Sequence, residues 1–162
     1  MRIIAIDPGT EKSAMLIYTV ETAVPWRCKI VSNEQVLREI TGIADMLAIE
    51  IIESFGMPVG RETFDTVLWT GRFIQKWCDK GFAESSVCHL SRRAVKMHLC
   101  HSMQAKDSNV RQVLIDRFGP GKEKAVGTKK SPGPLYGIKK DIWSALAVAV
   151  TAADGIAKEK QQ

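Results

Sequence analysis

The chain has 162 residues, of which 45% are hydrophobic and 25% are charged. These values are ordinary for a soluble protein and predict a single globular domain spanning residues 1–162. No apolar run approaches the roughly 18 residues that a membrane span needs, so no membrane partner is expected. The formal net charge of +5 favours a polyanionic partner.

The N-terminus leads directly into strand-like sequence, without the charged segment, apolar segment and cleavage site of a signal peptide. A cytoplasmic location is therefore the expectation. The four cysteines have no C-x-x-C spacing and are interpreted as reduced, mostly buried thiols.

The first predicted strand covers residues 2–6 and ends at Asp7, which Pro8 and Gly9 follow. Pro8 disfavours helix at Asp7, and Gly9 permits a tight turn into a second, antiparallel strand at residues 13–20. A carboxylate at the end of a buried strand is costly unless a cation binds there. Asp before Pro-Gly is also a common turn signal, so the residue types alone leave both interpretations open.

The remaining elements alternate between strand and helix. Further strands are predicted at 26–31, 46–52 and 86–90. Helices are predicted from 32 or 33 to 40, about 61–80, 91 to about 100, 107 or 108 to 118, and 138 to about 158. Residues 119–137, rich in Gly, Pro and Lys, are predicted to be a loop that orders on binding. This succession predicts an α/β fold in which helices flank a mixed five-stranded sheet.

Three acids fall in apolar surroundings: Asp7, Glu50 inside the fourth strand, and Asp141 at the start of the last helix. Asp141 shares one helical side with Ala145 and Val148, so it is predicted to point towards the sheet. Three inward acids would repel one another, and a pair of Mg²⁺ or Mn²⁺ ions would resolve the conflict. The alternative is that Glu50 is an exposed strand residue and Asp141 a helix N-terminal carboxylate.

Three segments together resemble the RuvC family of Holliday-junction resolvases, and most closely its phage-type members. They are residues 4–10, 47–50 and 141–149, with 93–96 and 105–110 matching the basic helix and the loop between them. The resemblance implies an RNase H-like fold and Mg²⁺-dependent cleavage of four-way and other branched DNA. It also implies that Asp7, Glu50 and Asp141 are catalytic carboxylates that bind two Mg²⁺ ions, with Mn²⁺ able to substitute. A phage-type member would act in the cytoplasm of a bacterial host.

The sequence departs from the bacterial members of this family at two positions. Ser144 stands where they have a second Asp, and Asp107 stands where they have a catalytic Lys, with Lys106 one residue earlier. Asp107 is therefore a candidate fourth catalytic and metal-binding carboxylate. Its alternative role is a helix cap beside Ser108.

Basic residues form two groups that suit contact with a DNA backbone. Residues 121–140 contain six lysines and one glutamate, although a solvated loop would have the same composition. The residues predicted to bind DNA are Arg92, Arg93, Lys96, Lys106, Lys122, Lys124, Lys129 and Lys130.

The long helix at 61–80 has more apolar surface than one contact with the sheet requires. One stripe contains Phe64, Val67, Leu68 and Ile74, and the other contains Trp69, Phe73 and Trp77. A two-fold homodimer is predicted through this helix, with the second stripe at or near the interface. The alternative is that a neighbouring helix of the same chain covers both stripes.

Other functional classes remain to be weighed against the nuclease. The basic surface and Ser144 also suit a junction-binding architectural protein without catalysis, and an RNase H-like nuclease could act on another nucleic acid. The cysteines and histidines between residues 88 and 101 lack the spacing of zinc sites. Actin-like ATPases share the Asp-x-Gly-Thr turn but need a second such turn and a longer chain.

Overall fold

Five strands form one mixed sheet in the computed structural model, which describes residues 1–159. The strands are β1 (Arg2–Asp7), β2 (Lys12–Thr19), β3 (Val24–Ser32), β4 (Met46–Ile51) and β5 (Val87–Ser91). Their order across the sheet is β3-β2-β1-β4-β5. β1, β2 and β3 pair antiparallel, whereas β4 runs parallel to β1 and β5 parallel to β4. The mixed five-stranded sheet that the sequence predicts is confirmed.

Helices cover both faces of the sheet. They are α1 (Asn33–Glu39), α2 (Arg61–Asp79), α3 (Arg92–Cys100), α4 (Asp107–Phe118), α5 (Lys122–Ala125) and α6 (Ile142–Glu159), with a 3₁₀ turn at Glu84–Ser86. The core on one face joins the sheet to α3, α4 and α6, and the core on the other joins it to α1 and α2. In the described part of the chain, no helix combines the length and apolar character needed to cross a membrane.

β1 lies at the centre of the sheet because its side chains are apolar on both faces. Ile3 and Ala5 pack on the side of α6, and Ile4 and Ile6 pack on the side of α2. All four are fully buried. Burial on both faces explains why β1 is a continuous apolar run rather than an alternating one.

The turn after β1 is held by a buried asparagine. Asn33 donates from Nδ2 to the carbonyl oxygens of Gly9 (2.9 Å) and Thr10 (3.2 Å), and its Oδ1 accepts from Ser13 Oγ at 2.6 Å. A side chain at position 9 would not fit, since a Cβ there would lie 2.4 Å from the Lys12 carbonyl oxygen. These contacts fix the course of the chain directly after Asp7.

Residues 119–137 are more structured than the predicted loop. They contain the short helix α5 and an isolated bridge between Gly127 and Pro132. Ala125 and Leu135 are buried, and Leu135 N donates to the Ala125 carbonyl at 2.8 Å. The segment is therefore attached to the core by apolar contacts and backbone hydrogen bonds, while its lysines remain exposed.

The predicted faces of α2 are wrong. Phe73 and Trp77 are fully buried against the sheet, and Trp77 donates from Nε1 to Ser86 Oγ at 2.8 Å. Phe64 and Leu68 are instead 65% and 56% exposed. The sheet takes the stripe with the larger aromatic area, so Phe73 and Trp77 cannot form an interface with another molecule.

Asn33→Ala should destabilise the protein by about 2–4 kcal/mol, because it removes three hydrogen bonds and leaves buried polar groups unpaired. Urea unfolding would measure the change. The exposed substitution Thr41→Ala is the control and should stay within about 0.5 kcal/mol of the wild type. Equal effects of the two substitutions would contradict the role given to Asn33.

Candidate active site

Asp7 and Glu50 lie side by side at one edge of the sheet. β1 and β4 are parallel and Ile6 pairs with Ile49, so the two acids occupy the next positions on adjacent strands. Apolar strand residues precede both of them. The sequence prediction that these carboxylates come together is consistent with this register.

The raised pKa values of Asp7 and Glu50 show that ionising these carboxylates is unfavourable. Burial, then the charge of Glu50, raises the pKa of Asp7 to about 7. This pKa already includes the charge of Arg92, which lowers it, the smaller effect of Asp141, which raises it, and a hydrogen bond with Ser144, which lowers it. Burial also raises the pKa of Glu50, against the opposing effect of Arg92. The pair is therefore short of positive charge.

Asp141 does not point inward as predicted. The last helix begins at Ile142, not at residue 138, and Asp141 is exposed immediately before it. Its carbonyl accepts from Ser144 N (2.9 Å) and Ala145 N (3.1 Å). The sequence predicts a helix start at residue 138, whereas Lys140, with φ of 50°, turns the chain and leaves Asp141 as the residue that directly precedes the helix. Asp141 nevertheless lies close enough to raise the pKa of Asp7.

Arg92, the first residue of α3, extends its guanidinium into the acid cluster. Nη1 lies 3.3 Å from Glu50 Oε2 and donates to Ser144 Oγ at 3.0 Å. Nη2 lies 2.8 Å from Asp107 Oδ1. The side chain predicted to contact DNA thus joins three elements of the site, the ends of β4 and the starts of α4 and α6.

Asp107 faces the cluster from its outer side. Its side chain is 72% exposed, and it is the first residue of α4, so the helix-cap position belongs to Lys106. Lys96 Nζ lies 3.5 Å from Asp107 Oδ1. Burial works against ionisation, but the contacts with Arg92 and Lys96 outweigh it and lower the pKa of Asp107.

The other predicted DNA-binding residues outside the acid cluster are exposed. The Arg93 guanidinium lies over the Phe55 ring, 4.8 Å from its centroid, and both residues are exposed. The exposed lysines of this set are Lys106, Lys122, Lys124, Lys129 and Lys130.

The acids have the ligand chemistry that a divalent metal ion needs, but those that the structure describes do not form a group of three ligands. Carboxylate oxygens are the ligands that Mg²⁺ and Mn²⁺ prefer, and the raised pKa of Asp7 indicates a place where a cation would be stabilised. Among residues 1–159, however, no three Asp, Glu, His or Cys side chains converge in a way that could hold one ion. The ligand chemistry therefore fits Mg²⁺, with Asp7 and Glu50 as the residues that would hold it.

The sequence analysis missed that Arg92 belongs to the acid cluster. β4 and β5 are parallel, and Ile51 pairs with Ser91, so the residue after Ser91 starts a helix beside Glu50. A basic residue directly after the edge strand is the signal that could have revealed it. Ser144 was noted only as a missing acid, yet it is a hydrogen-bond partner of both Asp7 and Arg92.

A mixed sheet of this order, flanked by helices, agrees with the RNase H-like fold that the family resemblance implies. The solved structure of Thermus thermophilus RuvC matches 98% of this chain and 97% of its own, with a TM-score of 0.69 and 17% identity. T. thermophilus RuvC in complex with a Holliday junction substrate matches 97% of this chain and 96% of its own, with a TM-score of 0.62 and 16% identity. No protein-family model and no curated protein sequence matches. The chain thus shares the RuvC fold over nearly its whole length.

Asp7→Asn should stabilise the metal-free protein at high pH. The native pKa of about 7, against 3.8 for the ordinary side chain, means that the native state binds more protons than the unfolded chain between these values. The contribution of Asp7 to stability is therefore fully present below about pH 4 and is lost as the pH rises to 7. Asn has no charge to bury, so the variant should gain roughly 2–4 kcal/mol over the wild type at pH 8 in EDTA.

Urea unfolding from pH 4 to pH 8 tests this dependence. The advantage of the variant should nearly vanish at pH 4 and stop growing above pH 7. A variant that is less stable than the wild type at pH 8 would contradict the electrostatic account of Asp7.

Proposed function

We propose that this protein is a divalent-metal-dependent endonuclease that resolves four-way DNA junctions. The single observation that carries the proposal is the adjacency of Asp7 and Glu50 at the ends of two central parallel strands. The fold is that of RuvC, and one matching RuvC structure is a complex with a Holliday junction substrate. Arg92 and Lys96 contact the acids, and the net charge of +5 suits a polyanionic substrate.

The acids have distinct duties in this proposal. Asp7, Glu50 and Asp141 would hold Mg²⁺ or Mn²⁺, which activates water and stabilises the leaving oxygen in phosphodiester hydrolysis. A carboxylate must lose its proton before it ligates, so the pKa of Asp7 near 7 makes metal binding weaken below neutral pH. Asp107 is held by Arg92 and Lys96, which supports an anchoring role for it rather than that of a fourth ligand.

The surface around the acids supplies sequence-independent contacts with DNA. The exposed lysines of residues 121–140 would contact phosphates, because they are attached to a segment that already packs on the core. Phe55 is 56% exposed beside Arg93 and offers a ring on which an unpaired base could stack.

A non-catalytic junction-binding protein is the second candidate. Arg92 neutralises Glu50 and Asp107 in the structure, which is the arrangement expected if the acids only build a binding surface. The two functions differ in whether the acids are needed for strand cleavage.

Asp7→Asn, Glu50→Gln and Asp141→Asn should each abolish cleavage while junction binding stays intact or becomes stronger, because the charges that hold metal are lost. Labelled four-way, flap and linear duplex DNA with Mg²⁺ should be incubated with each variant, and the ends produced should be analysed. Asp116→Asn, an exposed acid on α4, is the control and should cleave as the wild type does. Absence of cleavage by the wild type with tight junction binding would favour the architectural protein.

We also propose a two-fold homodimer through the exposed stripe of α2. Phe64, Val67 and Leu68 are each about half exposed or more, at 65%, 49% and 56%. Two sites related by a two-fold axis would match the near-two-fold symmetry of a four-way junction. This interface replaces the predicted one around Trp69, Phe73 and Trp77.

Leu68→Asp should give a monomer at micromolar concentration, because it places a charge in the centre of the apolar stripe. Light scattering measures the mass. Glu62→Lys changes the charge of an exposed side chain about 120° around the same helix from Leu68, outside the stripe, and should leave the mass unchanged. A wild-type protein that is monomeric while it cuts symmetric strands would refute the dimer.

A further inference from the structure

The Arg92 guanidinium occupies the inner side of the acid cluster rather than the solvent. Its side chain is 32% exposed, and its Nη1 contacts Glu50 and Ser144 while its Nη2 contacts Asp107. The charge of Arg92 also lowers the pKa of both Asp7 and Glu50. An arginine stays protonated at any physiological pH, so this positive charge is permanent.

A divalent ion and Arg92 would compete for the same carboxylate. An ion bound by Glu50 would lie within a few ångströms of the guanidinium, in a partly buried place where like charges repel strongly. Glu50 Oε2 also lies 3.3 Å from Nη1, so one of its oxygens is already in contact with a cation. Repulsion from a bound ion therefore favours movement of the guanidinium away from Glu50.

Asp107 provides the place to which Arg92 can move. It already holds Nη2 at 2.8 Å, and it lies on the exposed side of the cluster. A rotation of the guanidinium about that contact would vacate Glu50 and Ser144 without leaving the arginine unpaired. The Asp107 contact is also the closer of the two ion pairs, 2.8 Å against 3.3 Å.

We propose that Arg92 is a positioning residue that acts as the resident counter-cation of the acid site. It neutralises Glu50 when metal is absent, and divalent ions displace it towards Asp107. Asp107 thereby favours metal binding by holding Arg92 rather than by ligating the ion. This inference rests on the proposed metal-dependent function.

Titration calorimetry with Mn²⁺ alone, without DNA, tests the competition. At pH 8, where Asp7 is mostly ionised, Arg92→Gln should bind Mn²⁺ at least tenfold more tightly than the wild type. Arg92→Lys keeps the charge and should stay within about threefold of the wild type. Arg93→Gln removes the same charge one residue along the helix, from a side chain over Phe55, and should change Mn²⁺ affinity less than threefold.

Asp107 gives a second, independent measurement. Asp107→Asn should weaken Mn²⁺ binding several-fold, because Arg92 then remains on Glu50. In the double variant Arg92→Gln with Asp107→Asn, the affinity should return to that of Arg92→Gln alone. A metal ligand at Asp107 predicts the opposite, that the double variant binds much more weakly than Arg92→Gln.

The possible results distinguish a failure of the role proposed for Arg92 from a failure of the proposed metal-dependent function. If the wild type binds Mn²⁺ and Asp7→Asn abolishes the binding, while Arg92→Gln binds no more tightly, the role of Arg92 is overturned and the metal site stands. If neither the wild type nor Arg92→Gln binds Mn²⁺ at millimolar concentration, the metal-dependent function itself is refuted. Circular dichroism of each variant verifies folding. If Arg92→Gln fails to fold, Arg92→Lys and Asp107→Asn still test the inference.

Discussion

The repulsion between two carboxylates at the ends of β1 and β4 is the constraint on which the site depends. Central strands must be apolar on both faces, so the strand register that builds the core also delivers Asp7 and Glu50 to one edge at close range. A charge in such a place requires a positive partner or a proton. The raised pKa of Asp7 shows that the protein supplies too little positive charge by itself.

The elements around β1 contribute in two ways to the edge of the sheet that carries Asp7 and Glu50. The Asn33 hydrogen bonds and the side-chain-free Gly9 fix the turn that follows Asp7 and so fix the backbone that carries the carboxylate. On the other side, α3 and α6 begin where the strands end and bring Arg92 and Ser144 together. Rigid strands thus position the acids, while helix starts provide the groups that moderate their charge.

In the proposed nuclease, Arg92 would offset part of the negative charge of the acids until metal arrives. The Arg92 contacts with Glu50 and Asp107 stabilise the metal-free site. A contact that stabilises the metal-free site lowers the affinity for a divalent ion if the ion has to break it. Arg92 contacts both Ser144 and Asp107, the two positions at which the family resemblance implies a departure from the bacterial pattern.

The sequence by itself determined the five strands of a mixed sheet and the acids at the ends of apolar runs, because hydrophobic runs and turn residues are local signals. The strand order, which makes β4 the neighbour of β1 and so brings Asp7 and Glu50 together, was decided by the tertiary structure. Only the tertiary structure decided that Asp141 is exposed, since a backbone turn at Lys140 shifts the helix start. It also decided which stripe of α2 faces the sheet and that Arg92 enters the acid cluster. These outcomes depend on competition between surfaces and charges that are distant in the chain, and such competition leaves no periodic pattern in the sequence.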